Sequence, residues 1–197
     1  AEHDEDQTQP HGGKIAFGIQ EMTALAKDEL ITIVEAELKG AGSTPLCESY
    51  YEAYRYLAGL PLGYGNQDLD INQHDKDSPP RDESSITEEG GVYQSPYAGC
   101  SNEIFVILIT DGVPQRDNAA DEAIIALQAT DNDSTASSIE VTDANGNVTI
   151  NYLPMLAEYM HNNDINTDMD GKQIATLSTV GFSSGANDAR NLLESAA

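Results

Sequence analysis

Apolar residues come in short bursts along this chain. The longest unbroken one, Ile104-Phe105-Val106-Ile107-Leu108-Ile109, stops abruptly at Thr110-Asp111-Gly112. Four of its six residues are β-branched, and a run this uniform predicts a strand buried on both faces. It ends on a carboxylate, and open parallel sheets place their ligand-binding residues at that end of a strand. The plainer reading makes Asp111 a turn or helix cap. Gly112 permits a sharp turn, and Pro114 with the acidic stretch from Asp117 to Glu122 leads into a helix.

The other bursts have recognisable periods. Lys14 to Gln20 predicts a short strand, and Leu25 to Lys39 a helix with Leu30, Ile33, Val34 and Leu38 on one stripe. Gly42-Ser43-Thr44-Pro45-Leu46 predicts a helix start, with Thr44 as N-cap and Pro45 in the first turn. That helix runs to about Gly59 and carries several tyrosines on its packing side. Asp121 to Gln128 is a short helix. Ile139 to Tyr152 alternates like a hairpin. Its Asn145-Gly146 pair suits a two-residue turn, which would set Val141 opposite Ile150 and Ile139 opposite Tyr152. Tyr152 to Asn162 is an amphipathic helix, Ile174 to Phe182 a second strand, and Asp188 to Ala197 a closing helix.

Strands alternating with helices predict an α/β fold: a doubly wound, mainly parallel sheet with flanking helices, plus a small β-hairpin insertion. Residues 1–13 read as a flexible acidic N-terminus and residues 14–197 as one domain. Insertions fall at about 60–99 and 129–151. The first of these is rich in Gly, Pro, Asp, Asn and Ser and has no period, so it reads as an extended surface segment. Its cluster of Asp68, Asp70, His74, Asp75 and Asp77 reads as solvated acid.

Charge narrows the partners. Nine Lys and Arg stand against 34 Asp and Glu, a net of -25. Nucleic acid and anionic membranes are thereby disfavoured, and divalent cations, or a saline medium, favoured. No apolar run is long enough to span a membrane. Asn166, Asp168 and Asp170, followed by Gly171, have the spacing of the first half of a calcium loop. Leu177 stands where an EF-hand needs its final Glu, so they are secondary metal candidates. No Ser-His-Asp, Cys-His or zinc constellation stands out among His3, His11, His74 and His161. Asp-Gly-Val after an apolar strand is superficially like haloacid-dehalogenase-type phosphatases, but Ile109 occupies the position of their nucleophile. An enzyme is therefore not expected.

Taken together, Gly-Ser-Thr-Pro-Leu with Glu-Ala-Tyr-Arg-Tyr, Phe-Val-Ile-Leu-Ile-Thr-Asp-Gly-Val-Pro, Asp-Gly-Lys-Gln and Thr-Val-Gly-Phe resemble a von Willebrand factor A domain. The form is that of the PilY1 family of type IV pilus tip-associated adhesins. The resemblance covers roughly Lys14 to Ala197. It implies an extracellular or cell-surface, pilus-associated module that binds host or surface ligands through Mg²⁺ or Ca²⁺ at the carboxyl edge of the sheet. Thr44 matches the second-loop threonine of that metal site, with Ser43 beside it as a secondary candidate, and Asp111 matches the third-loop aspartate. The first loop, Asp-x-Ser-x-Ser after the first strand, is absent. Asp133-x-Thr135-x-Ser137 has its spacing but follows no buried strand.

The resemblance thus leaves a sheet without its first and last strands. The implied partners are the rest of the same polypeptide or another subunit filling the slot, together with pilus or filament subunits. The alternative is a structural or capping subunit of an extracellular filament without a working metal site. For a secreted protein, Cys47 and Cys100 are expected to pair. The geometric objection is that they start from opposite ends of the sheet, about 20 Å apart. The rival is two free thiols, with Cys47 the more reactive at its helix N-terminus.

Overall fold

The structure is a computed structural model and describes residues 12–37, 44–66, 81–88, 90–97, 102–131, 133–142 and 146–197. The long apolar run forms β1, Glu103–Thr110. It pairs in parallel with β4, Ile174–Gly181, in a register that sets Glu103 beside Ile174 and Thr110 beside Gly181. Parallel neighbours need a crossover. Here it runs through α3 (Asp121–Gln128), a hairpin of β2 (Ile139–Thr142) and β3 (Val148–Asn151), and α4 (Leu153–Asn162). Upstream lie α1 (Ala24–Thr32) and α2 (Leu46–Ala58), and α5 (Arg190–Ala196) closes the chain. The architecture is mixed α/β with a small parallel sheet and helices.

The core lies on one face of that sheet. Ala175 and Leu177 of β4 are buried under Leu153, Leu156 and Met160 of α4 and Leu192 and Leu193 of α5, and the α2 residues Tyr50, Tyr54 and Leu57 extend the same cluster. Those three residues fall at helical spacing. Gly59 then ends α2 in a left-handed cap at φ 67°. The other face of the sheet is open: Phe105, Ile107 and Ile109 are 72%, 64% and 61% exposed. The prediction of a strand buried on both faces is thus corrected. Its residues suit double burial, but among the described residues only one face has a covering layer. Among those residues β1 also has a strand neighbour on only one side.

Other expectations need revision. Lys14 to Gln20 forms no strand. Its backbone is held by side chains instead: Gly18 N–H donates to Asp82 Oδ2 at 2.6 Å and Ile19 N–H to the Tyr56 hydroxyl at 2.8 Å. The first helix changes at Ile33 from α to a π-helix over Ile33–Glu37, and Leu38 and Lys39 of the prediction lie outside the described residues. Thr23 caps it by accepting from Ala26 N–H. Only Ala26 of α1 is buried, while Leu25, Ile31 and Val34 point to solvent.

The hairpin is shifted by one residue: Val141 sits opposite Thr149 and Ile139 opposite Asn151. A one-residue shift exchanges the faces of a strand. Val148 and Ile150 are therefore exposed, and Asn151 is buried in a hydrogen-bonded cluster described below.

The region expected as a surface insertion is anchored at both ends. Leu62 N–H donates to Gly91 O and Tyr93 N–H to Leu60 O, tying the first stretch to the last. Glu52 of α2, 1% exposed, holds the turn between them. Its carboxylate accepts from the N–H groups of Gly63, Tyr64 and Gly65 and, at 2.6 Å, from the Tyr93 hydroxyl. A Cβ on Gly65 would lie 2.8 Å from Glu52 Oε1, so glycine is what lets the backbone approach the carboxylate. The acidic group at Asp68, Asp70, His74, Asp75 and Asp77 lies outside the described residues.

Candidate functional site

The carboxyl ends of β1 and β4 form one edge. Pairing continues past the strands, with Phe182 N–H donating to Thr110 O at 3.0 Å. The Thr110 hydroxyl donates to Gly112 O and fixes the turn that follows. Asp111 stands exposed at the lip. Its carbonyl accepts from Ser183 Oγ at 2.9 Å, and Ser183 is held at φ 72°, a conformation that side chains larger than hydrogen rarely adopt. Gly185 packs beneath, where a Cβ would lie 2.6 Å from Asp111 O. Two backbone turns are thereby locked together around one exposed carboxylate.

Thr44 belongs to the same edge. Its carbonyl accepts from Gln115 N–H at 3.0 Å, joining the segment before α2 to the loop that leaves Asp111. It is not the helix cap expected. Pro45 occupies the N-cap position, with no side-chain bond. In place of a local cap, Glu48 N–H donates to a distant acceptor, Asp117 Oδ1, at 3.1 Å. Ser43 and Cys100 lie outside the described residues.

The secondary metal candidates lie elsewhere. Asn166, Asp168 and Asp170 precede β4 and so occupy the amino edge of the sheet, about 25 Å from Asp111 at the rise of an eight-residue strand. Their loop is closed upon itself. Asp164 Oδ1 accepts from the N–H groups of Asn166 and Gln173, Asn166 Oδ1 from Asp168 N–H, and Asp170 O from Gln173 Nε2.

The segment with the Asp133-x-Thr135-x-Ser137 spacing bonds to a helix carboxylate. Ser134 Oγ, Thr135 N–H, Thr135 Oγ1 and Ala136 N–H all donate to Glu158 of α4. Partial burial of Glu158 works against its ionisation. The bonds from Thr135, Ala136 and Ser134 outweigh that and bring its carboxyl down to about 2.

The expected disulfide is not formed: Cys47 is a free thiol. It is fully buried and donates to Asn151 Oδ1 at 3.1 Å, facing the hairpin rather than the start of β1. Nor is it the reactive thiol of the rival reading. Burial, then the charge of Asp117, pushes it well above its ordinary pKa, which keeps it protonated.

Cys47 belongs to a cluster that the sequence did not reveal. Asp117 Oδ2 accepts from Asn151 Nδ2 at 2.8 Å, and Glu48 Oε1 accepts from Ala119 N–H at 2.9 Å. Asn151 Oδ1 also accepts from Leu153 N–H at the start of α4. Glu48 is 0% and Asp117 8% exposed. Burial pushes Asp117 up to about 7 despite the bonds it accepts, and burial followed by the charge of Glu48 does the same to Asp121. The one sequence hint is that Glu48 and Glu52, four apart, interrupt the packing side of an amphipathic helix.

The carboxylate of Asp111 and the hydroxyl of Thr44 are two oxygen donors, fewer than a tightly held Mg²⁺ or Ca²⁺ requires. Among the described residues no group of three His, Cys, Asp or Glu side chains is arranged to hold a metal ion. None of the helices described is long and apolar enough to cross a membrane. No family model matches the chain, and neither a curated protein nor a solved structure does.

Proposed function

We propose that this chain is part of a cell-surface adhesion or pilus-assembly module of the von Willebrand factor A type, completed by a strand from outside the chain. The observation that carries the reading is β1. Edge strands are normally guarded by charge, proline or a bulge. The stretch from Ile104 to Ile109 has none of these, has no strand neighbour on one side among the described residues, and presents Phe105, Ile107 and Ile109 outward. A two-stranded parallel sheet with one bare apolar face is a poor end state for a folded chain. The segment that fills the slot would come from the rest of the same polypeptide or from another subunit. It would bring the oxygens that Asp111 and Thr44 lack for Mg²⁺ or Ca²⁺. The ligand would be a host or surface molecule met outside the cell, and the acidic surface favours a saline, cation-rich medium.

The test is adhesion of the protein, in its parent assembly, to a carboxylate-bearing surface in Mg²⁺ or Ca²⁺ and again in EDTA. Asp111→Ala should abolish the cation-dependent part and leave stability within about 0.5 kcal/mol, as for an exposed surface change. Adhesion that is the same in EDTA defeats the metal reading. The second reading is a structural or capping subunit of an extracellular filament without a metal site. The count of two donors favours it, and it predicts incorporation into filaments that Asp111→Ala leaves intact.

A further inference from the structure

The loop before β2, together with α4, β4 and α5, borders a cavity of about 390 Å³ toward the end of the sheet opposite Asp111. That volume lies in the range of about 300–1,000 Å³ common for ligand pockets. Pro154 and Ala157 of α4 and Leu177 of β4 give it an apolar wall, and Glu158, His161 and Thr176 a polar one. The polar wall is bonded across α4, β4 and β1. His161 Nδ1 lies 3.1 Å from Thr176 Oγ1, and Thr176 Oγ1 donates to Glu103 Oε1 at 2.8 Å. A carboxylate only accepts, and threonine has a single hydroxyl proton. With that proton given to Glu103, the Thr176 oxygen is left to accept, so Nδ1 must carry the imidazole proton. Neutral His161 therefore keeps its lone pair on Nε2. Glu158 lies three residues before His161 on the same helix face. Its bonding partners Gln128, Ser134, Thr135 and Ala136 are all neutral donors, so its negative charge stays in the wall. Among the described residues no Lys or Arg lines the cavity.

We propose that this cavity binds a primary alkylammonium group, with an N–H donating to His161 Nε2 beside the Glu158 charge and the carbon stem lying on Pro154, Ala157 and Leu177. An ammonium has three donors and no acceptor, which matches a wall that offers a lone pair and a negative charge. A chain of net charge -25 draws such a cation in. An anion meets repulsion here and no cation to receive it. Two sources carry the group, a free amine and a lysine side chain of a partner protein, and they share this chemistry. The site is separate from the edge that bears Thr44 and Asp111 and is tested without metal.

The experiment titrates the full chain in EDTA with butylamine, and with butyrate as an anion of the same length, at about pH 8. The imidazole nitrogens of His161 are followed by nitrogen-15 NMR. Before any addition, Nδ1 should show the protonated shift and Nε2 the unprotonated one. Butylamine should move the Nε2 resonance saturably, in the millimolar range expected of so small a ligand, and butyrate should not. The backbone amides of Ala157 and Glu158 give a second readout that survives loss of the imidazole. By that readout His161→Phe, at an exposed position, should weaken butylamine binding by about tenfold. Thr176→Val releases Nδ1; it should raise the share of the Nε2–H tautomer and weaken binding less. The same shifts from acetyl-Gly-Lys-Gly-amide identify a partner's lysine as the source, and shifts from butylamine alone a free amine. A proton on Nε2 in the neutral, unliganded chain overturns the proposal. So do butyrate binding equal to that of butylamine, no shift with either amine, or undiminished affinity in His161→Phe.

Discussion

Replacing Ile107 by Lys separates an open sheet face from a covered one. Ile107 is 64% exposed, so roughly a third of its side chain is out of water. Full burial of an isoleucine contributes about 1.5–3 kcal/mol, and the third realised here amounts to about 0.5–1 kcal/mol. The lysine stem can lie along the strand and keep part of that, with its ammonium in water. The lower strand preference of Lys adds at most about 1 kcal/mol. Ile107→Lys should therefore cost the chain about 1 kcal/mol in urea unfolding followed by far-UV circular dichroism, with an unchanged denaturant slope.

A second readout should move in the opposite direction. Phe105, Ile107, Ile109, Val180 and Phe182 are all exposed at the open side and carboxyl end of the sheet. A continuous apolar face of this kind drives association. A charge at Ile107 should thus lower dye binding and self-association in sedimentation. If the face were covered, the same change would bury an ammonium and cost several kcal/mol. A loss above about 3 kcal/mol, or undiminished self-association, would refute the open face and with it the argument for an external strand.

Two further outcomes follow from the carboxylates. Glu52→Gln leaves one acceptor oxygen among four donors and sets an amide nitrogen against the others. At about 1.5–3 kcal/mol for each lost bond to a charged group, the anchored ends of the 60–97 region should open, seen as proteolysis within it while α4 stays protected; an unchanged cleavage pattern would count against the anchor. Glu158, held down at about 2, stabilises its loop above its ordinary value of 4.5, and that contribution is lost as pH falls from there toward 2. Thr135→Ala should raise the Glu158 value, as read by NMR titration of its carboxyl, and an unchanged titration would contradict the cradle of four loop donors that adds to the bond from Gln128 Nε2.

The sequence carried the framework well where periodicity and chain reversal left little choice. The Ile104 run had to be a strand, and its parallel pairing with Ile174–Gly181 follows from the helices and hairpin between them. α3 begins and ends where its acidic first turn and apolar spacing put it. Other readings failed where side chains supplied what backbones were expected to supply. KIAFGIQ has strand composition, yet Asp82 and Tyr56 bond its N–H groups and leave no need of a neighbouring strand. The Asn-Gly pair favoured one hairpin register, but Asn151 has three partners inside the protein, in Asp117, Cys47 and Leu153. Those bonds outweigh the burial of Ile150.

The same principle explains which candidate residues converge. Thr44 is tied to the loop that leaves Asp111 by the bond from Gln115 N–H to its carbonyl, a contact between segments far apart in the chain. The buried carboxyls were not legible, because hydropathy scores Glu48 and Asp117 as surface residues. Their place in the core depends on backbone donors exchanged between α2 and a loop some 70 residues away, a pairing that no local pattern encodes. A spacing such as Asp-x-Thr-x-Ser is likewise ambiguous until the neighbouring acceptor is known, and here Glu158 takes the Thr135 hydroxyl of that spacing together with the Ser134 hydroxyl and the Ala136 amide between its positions. Hydroxyl and amide donors in a loop serve an internal carboxylate as readily as a metal-bound assembly. The decisive variable is whether an acidic side chain from a neighbouring helix reaches the loop, and only the packing of α4 against the loop settles that.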